Sequence, residues 1–209
     1  MQVLVVASTE MEIKEFRRQY PDADVLVSGV GIAASVYHLL KRIHQVDYDL
    51  VIQAGVAGSF DPALGKGQVV QVVSDRFAGE GVSTSQGFHT VFDMGLADPD
   101  AFPFRDGWLD NPKALSYDLP YAAVRGITVN TLTDNPEVIA MQQQRFHPSV
   151  ESMEGASLHY VCLSEALEFI QLRAVSNEVG ERDKQRWHLQ EAVARLNEAV
   201  ISVYQKFRS

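Results

Sequence analysis

Cysteine is nearly absent from this chain: Cys162 stands alone among 209 residues. A single thiol excludes an internal disulfide framework and fits a reducing cytoplasm. Set in an apolar helical pattern, it reads as a small core hydrophobe. Positive charge is also scarce. Eighteen Lys and Arg face 27 Asp and Glu, a formal net charge of −9. No segment gathers lysine and arginine into a basic face, so a nucleic-acid partner is not expected. No apolar run approaches the ~20 residues of a helical membrane span. The opening "MQVLVVASTE" is too short, and lacks the basic start, for a signal peptide. Neither G-x-G-x-x-G nor a GK[ST] loop occurs, which weighs against a dinucleotide or a triphosphate. There is no internal repeat and no low-complexity stretch.

What remains is a chain rich enough to bury a core, 46% hydrophobic and 22% charged, and of a length that suits one domain, 1–209. "QVLVVA" (2–7) reads as a buried strand and "STEMEIKEFRRQY" (8–20) as an amphipathic helix capped by Ser8 or Thr9. "ADVLVSGVG" (23–31) is a second strand, and "IAASVYHLLKRIHQ" (32–45) a helix. "YDLVIQAGVAGSF" (48–60) and "GQVVQVVSD" (67–75) are strands three and four. The stretch from Phe77 to Leu119 has no clear period; its aromatics need burial, so long loops with short elements are expected. Beyond it, strands at 121–131, 149–153 and 168–177 alternate with helices at 136–146, 155–167 and 184–207. Such alternation predicts an α/β fold with a largely parallel sheet.

Three strands run into glycine-containing turns: "SGVG" (28–31), "AGVAG" (54–58) and "SNEVG" (176–180). Glycine terminates many strands for purely local reasons. It also lets backbone approach a ligand closely. Three such turns suggest a shared site at the carboxyl edge of the sheet, where α/β proteins keep their ligands.

At "SMEGASLHYV" (152–161) the pattern becomes specific. A strand runs into Met-Glu, then through a small-residue turn into a helix. Together with "ASTEMEI" (7–13), "SGVGIAAS" (28–35), "IQAGVAGSF" (52–60) and "RAVSN" (173–177), in this order, the chain resembles the nucleoside phosphorylase and nucleosidase superfamily over nearly its whole length. The resemblance implies a phosphorylase/hydrolase-like α/β fold, with a central mixed twisted sheet flanked by helices. Methylthioadenosine and S-adenosylhomocysteine nucleosidases usually have Ser-Asp where Ser176-Asn177 stands, and Met-Glu-Ala where this chain has "MEGA". The set "ESMEGA", "GVAGSF", "GITVNT" and "SNEVGERD…W" looks most like the futalosine hydrolases, which remove hypoxanthine from futalosine on an alternative route to menaquinone.

That resemblance implies roles for particular residues. Hydrolysis of an N-glycosidic bond passes through a ribosyl cation, so the site must hold the sugar, supply water and ease electrons onto the leaving base. Glu154 is the sugar residue: a carboxylate can accept from the 2′- and 3′-hydroxyls together and favours the cation over the neutral substrate. By itself it would read as a helix N-terminal acid. Met153 would pack on the ribose. Glu12, picked from Glu10, Glu12 and Glu15 by its place in the motif, is the base that activates water. Asn177 would read a 6-oxopurine, its amide donating to O6 and its carbonyl accepting from N7–H; otherwise it is a turn cap. Gly55, Val56, Ala57, Gly58 and Ser176 would line the substrate, with Thr131 and Leu132 against the purine. Val56 replaces the serine common in methylthioadenosine-type nucleosidases. Gln53 stands where related phosphorylases often carry a phosphate-binding arginine, which favours water as the nucleophile. For a carboxylate at the far end of the substrate, Arg182, Arg186, His188 and Arg76 are the candidate partners.

The expected partners are thus a small-molecule nucleoside and water, without metal, organic cofactor, nucleic acid or membrane. A homodimer or larger homo-oligomer is expected from the superfamily. The competing readings are a methylthioadenosine/S-adenosylhomocysteine-type nucleosidase, a purine nucleoside phosphorylase, or a nucleoside-binding protein without activity. The glutamates at 12 and 154 weigh against the last.

Overall fold

The structure is a computed structural model that describes residues 1–85, 87–181, 183, 185 and 187–208. Ten strands and five helices follow one another along the described residues. β1 (Val3–Ala7), β2 (Asp24–Val27) and β3 (Leu50–Ser59) are joined by α1 (Glu10–Gln19) and α2 (Ile32–Ile43). β4 (Val69–Asp75) leads into a hairpin, β5 (Gly81–Thr84) and β6 (Gly87–Thr90), then the short β7 (Leu109–Asp110). β8 (Ala122–Thr128), α3 (Pro136–Phe146), β9 (Val150–Ser152), α4 (Gly155–Ser164), β10 (Glu168–Glu178) and α5 (Leu189–Phe207) complete the chain.

Side chains alternate across each strand, so the two faces of the sheet carry separate cores. One face sets Val5, Ile52 and Leu172 against Ile13 and Phe16 of α1 and Leu196, Val200 and Val203 of α5. The other sets Leu4, Val6, Val51 and Phe169 against Leu39 of α2 and Leu158, Val161 and Cys162 of α4. Buried leucines, valines and isoleucines each contribute about 1.5–3 kcal/mol, and this sandwich fixes the helices over both faces.

The sheet is mixed, as the family resemblance implies, and it closes on itself. β1 lies between β2 and β3, all parallel. β10 runs parallel to β3 along its length and antiparallel to β4. β4 pairs with β8 and β8 with β9, both parallel. β9 returns to the last residues of β3, Gly58 opposite Glu151 and Ser59 opposite Val150. The ring β3–β9–β8–β4–β10 therefore has no free edge, and Ala57, Val70, Val72, Val150 and Val175 pack together within it.

The region 77–119 holds short elements among loops, as expected: the hairpin β5–β6 and the two-residue β7. One boundary departs from the sequence reading, the closing helix beginning at Leu189 rather than at 184. The segment before α5 is held otherwise: Trp187 Nε1 donates to the Glu181 carbonyl at 2.9 Å, and the His188 amide to the Ser176 carbonyl at 2.9 Å.

Candidate functional site

Glu12, Met153, Glu154 and Asn177 meet at one cleft of about 230 Å³, where β1, β3 and β10 end and β9 passes into α4. Val56, Ala57, Gly58, Leu132 and Ser176 border it too. A larger hollow of about 610 Å³ lies at the opposite end of β1, among Met1, Asp22, Asp24 and Arg208. It gathers surface polar groups and none of the residues singled out above.

Glu12 sits in the first turn of α1 and is buried. The amide and hydroxyl of Thr9 donate to its Oε2 at 3.0 and 2.8 Å, and the Glu12 amide donates back to the Thr9 side chain, which completes a capping box. Its Oε1 accepts from the Val56 amide at 3.1 Å. One carboxylate thus ties the start of α1 to the end of β3. A carboxylate oxygen has two lone pairs, so Oε1 keeps one for a water in the cleft.

Glu154 occupies the N-cap position of α4, yet its side chain makes no cap hydrogen bond. Instead Oε1 accepts from the Gly31 amide at 2.9 Å, and Oε2 lies 3.8 Å from Nη1 of Arg173. The glycine turn after β2 is therefore a ligand of the carboxylate itself.

Arg173 is the residue whose role the sequence did not announce. It is 1% exposed, in the middle of β10. Nη2 donates to Gln53 Oε1 at 3.0 Å and Nη1 to the Val56 carbonyl at 3.5 Å. Gly55 lies directly opposite in the ladder. A Cβ there would fall 2.1 Å from Arg173 Nη1 and 3.3 Å from Glu12 Oε1. Gly55 does not border the cleft; it makes room for the guanidinium that faces Glu154. Removing Glu154 would leave a buried cation short of a counter-charge, a strongly destabilising change. The signal was present in principle: an arginine inside "FIQLRAVS", a run otherwise suited to burial.

At the end of β10 a bulge intervenes. Val175 pairs with Ala57 and Asn177 with Gly58, leaving Ser176 as the extra residue. A bulge re-aims side chains, and here Ser176 and Asn177 both reach the cleft. Ser176 Oγ lies 2.7 Å from Asn177 Oδ1 and 3.2 Å from the Ala57 carbonyl. Asn177 Nδ2 donates to the Glu178 carbonyl at 2.8 Å. That last bond sets the amide's orientation, and it leaves one N–H and one carbonyl lone pair unassigned.

Other expected residues lie elsewhere. Thr131 is exposed and does not border the cleft. Arg76 opens into a separate hollow of about 340 Å³ with Thr90, Asp93 and Arg145. Its guanidinium stacks 4.4 Å from the Phe146 ring and 5.1 Å from that of Trp108, and burial lowers its pKa to about 10. His188 pairs with Glu191 at 3.1 Å. Arg182 and Arg186 fall outside the described residues. Among the described residues no group of three or more His, Cys, Asp or Glu is arranged to hold a metal, and no helix is long and apolar enough to cross a membrane.

The sequence matches the phosphorylase superfamily over residues 6–205. It is 31% identical to a futalosine hydrolase of Streptomyces coelicolor over 190 residues, which is 86% of this chain and 78% of that one. A futalosine hydrolase of Acidothermus cellulolyticus is 30% identical over 194 residues, covering 89% of this chain and 77% of that one. The fold superposes on a futalosine hydrolase mutant of Helicobacter pylori with a TM-score of 0.82, at 15% identity, over 98% of this chain and 99% of the other.

Proposed function

The chain belongs to the phosphorylase superfamily, and from that premise we propose that its cleft hydrolyses the N-glycosidic bond of futalosine, releasing hypoxanthine on the futalosine route to menaquinone. The observation that carries this reading is the meeting in one cleft of two buried carboxylates, Glu12 held by the Val56 amide and Glu154 held by the Gly31 amide and Arg173, beside the Asn177 amide. One 209-residue domain would carry the whole activity in the cytoplasm, as a homodimer or larger homo-oligomer, without metal or organic cofactor.

Each group then has one task. Glu12, fixed at both oxygens, takes a proton from water as it attacks the anomeric carbon, a contribution of ~10²–10⁴ in rate. Glu154 accepts hydrogen bonds from the ribose hydroxyls, ~1.5–3 kcal/mol each, and its charge stabilises the ribosyl cation more than the ground state. Met153 supports the sugar face. The remaining Asn177 N–H serves the purine O6, and its carbonyl receives N7–H as hypoxanthine leaves.

Water rather than phosphate is the nucleophile. The amide of Gln53, 1% exposed, is turned onto Arg173 and away from the cleft, and Arg173 faces Glu154. No unneutralised cation remains among these residues for a phosphate dianion. The test is hypoxanthine release from futalosine, measured with and without phosphate. Equal rates and a free-sugar product support the reading; a sugar 1-phosphate, or no release at all, refutes it.

A further inference from the structure

The proposed task of Glu154 requires that its carboxylate not be spent on its own helix. An acidic residue at an N-cap ordinarily accepts from the amides of the first turn. Here those amides are satisfied by other residues. The Gly155 amide donates to Ser152 Oγ at 3.1 Å, and the Ala156 amide to Thr128 Oγ1 at 2.7 Å. Thr128 belongs to β8 and is fully buried. Its hydroxyl proton goes to Asp75 Oδ1 at 3.0 Å, the oxygen that also accepts from the Arg76 amide at 2.8 Å.

We propose that Thr128, aimed by Asp75, caps α4 in place of Glu154 and thereby keeps the Glu154 carboxylate directed at the sugar. A hydroxyl has one proton and two lone pairs. The buried carboxylate of Asp75 takes the proton, so a lone pair is turned to the Ala156 amide. Asp75 is held in turn by Gln171 Nε2 at 3.3 Å. The contact is close enough that α4 can begin only with glycine: a Cβ on Gly155 would stand 2.1 Å from Asp75 Oδ2 and 2.3 Å from Gln171 Nε2. Without the hydroxyl the Ala156 amide loses its acceptor, and Glu154, at the N-cap of the same helix, would turn its carboxylate from Gly31 onto the first turn. Thr128 is a positioning residue. It does not border the cleft.

The sugar-binding role of Glu154 rests on the nucleosidase reading above, whereas the exchange of caps does not. The experiment therefore has two arms. Crystal structures of wild type and Thr128→Val come first. The expected result is that the Glu154 carboxylate turns from the Gly31 amide onto the first turn of α4; a carboxylate still on Gly31 overturns the proposal. In the kinetic arm, with futalosine, Thr128→Val should lower kcat/KM about 10²-fold through misplacement of the site. Thr128→Ser, which keeps the hydroxyl, should restore it to within about 3-fold of wild type. In a Glu154→Gln background the valine should cost less than about 2-fold more, because the two changes act through one carboxylate. Full additivity, or failure of serine to rescue, overturns the proposal. If wild type cleaves no futalosine, the function assigned above fails and the crystallographic arm still decides the capping. Should the valine variant not fold, the serine variant and Thr128→Ala supply the same comparison.

Discussion

Asn177→Asp should move the base preference from 6-oxopurine toward 6-aminopurine nucleosides. In the native orientation Nδ2 donates to the Glu178 carbonyl at 2.8 Å while Oδ1 faces Ser176 Oγ at 2.7 Å. An adenine-type base would need the amide reversed, so that oxygen meets the exocyclic amine. Ser176 tolerates that reversal, since its proton can go to the Ala57 carbonyl at 3.2 Å. Glu178 does not: Oδ1 would then stand against a carbonyl oxygen. One lost bond and an unpaired acceptor in a site where Asn177 is 7% exposed cost ~1–3 kcal/mol, roughly 5- to 150-fold in kcat/KM. A protonated carboxyl group at this position can give its proton to N7 of an adenine leaving group and become the carboxylate, a proton that an amide cannot supply. The assay is kcat/KM for futalosine and for its 6-amino counterpart, on wild type and variant, with the melting temperature as a check on folding. A wild-type ratio near one, or a ratio that the substitution leaves unmoved, would show that Asn177 caps a turn and reads nothing.

Glu12→Gln should lower kcat by ~10²–10⁴ while ligand affinity changes little, because glutamine keeps an acceptor for Val56; near-normal kcat removes the base role. Glu154→Gln should lower kcat by a similar order, since a neutral amide no longer favours the cation; a fall in thermal stability with intact kinetics would contradict this. Two buried groups near the site oppose each other in pH. Burial raises Asp75 to about 6 and lowers His159 to about 4. Between those values the native Asp75 holds a proton that the unfolded chain has released, so its contribution to stability falls as pH rises. The native His159 lacks a proton that the unfolded chain binds, so its contribution falls as pH drops. The two slopes offset. Asp75→Asn removes one of them, and unfolding by urea should then show about 2 kcal/mol more loss than wild type on going from about pH 6.5 to about pH 4.5; identical pH profiles would refute the assignment.

How much of this was legible in the residue order depends on the distance over which each feature is decided. Valine-rich runs, the amphipathic spacing of α1, α2 and α5, and the capping acids are local, so the strands, helices and α/β class followed from sequence. So did Glu12, Glu154 and Asn177 as residues worth testing, because a motif keeps its residues at fixed spacing. What the motif could not carry was the second use of each. Glu12 is at once a cap for α1 and a ligand of Val56; Gly55 serves Arg173 rather than the cleft; Gln53 is consumed by that same arginine. These facts depend on register, Gly55 opposite Arg173, and on closure of the sheet through β9. The bulge at Ser176 inserts one residue and turns Asn177 toward the cleft, and periodicity in the chain does not announce it. Arg76 and Thr131 were as plausible by composition as Leu132, yet tertiary packing sets them elsewhere. Sequence determined which chemistry was available and which segments could be buried. Only the tertiary structure decided which carboxylates were free to act, because a polar group's role depends on whether a partner from a distant strand has already satisfied its neighbours.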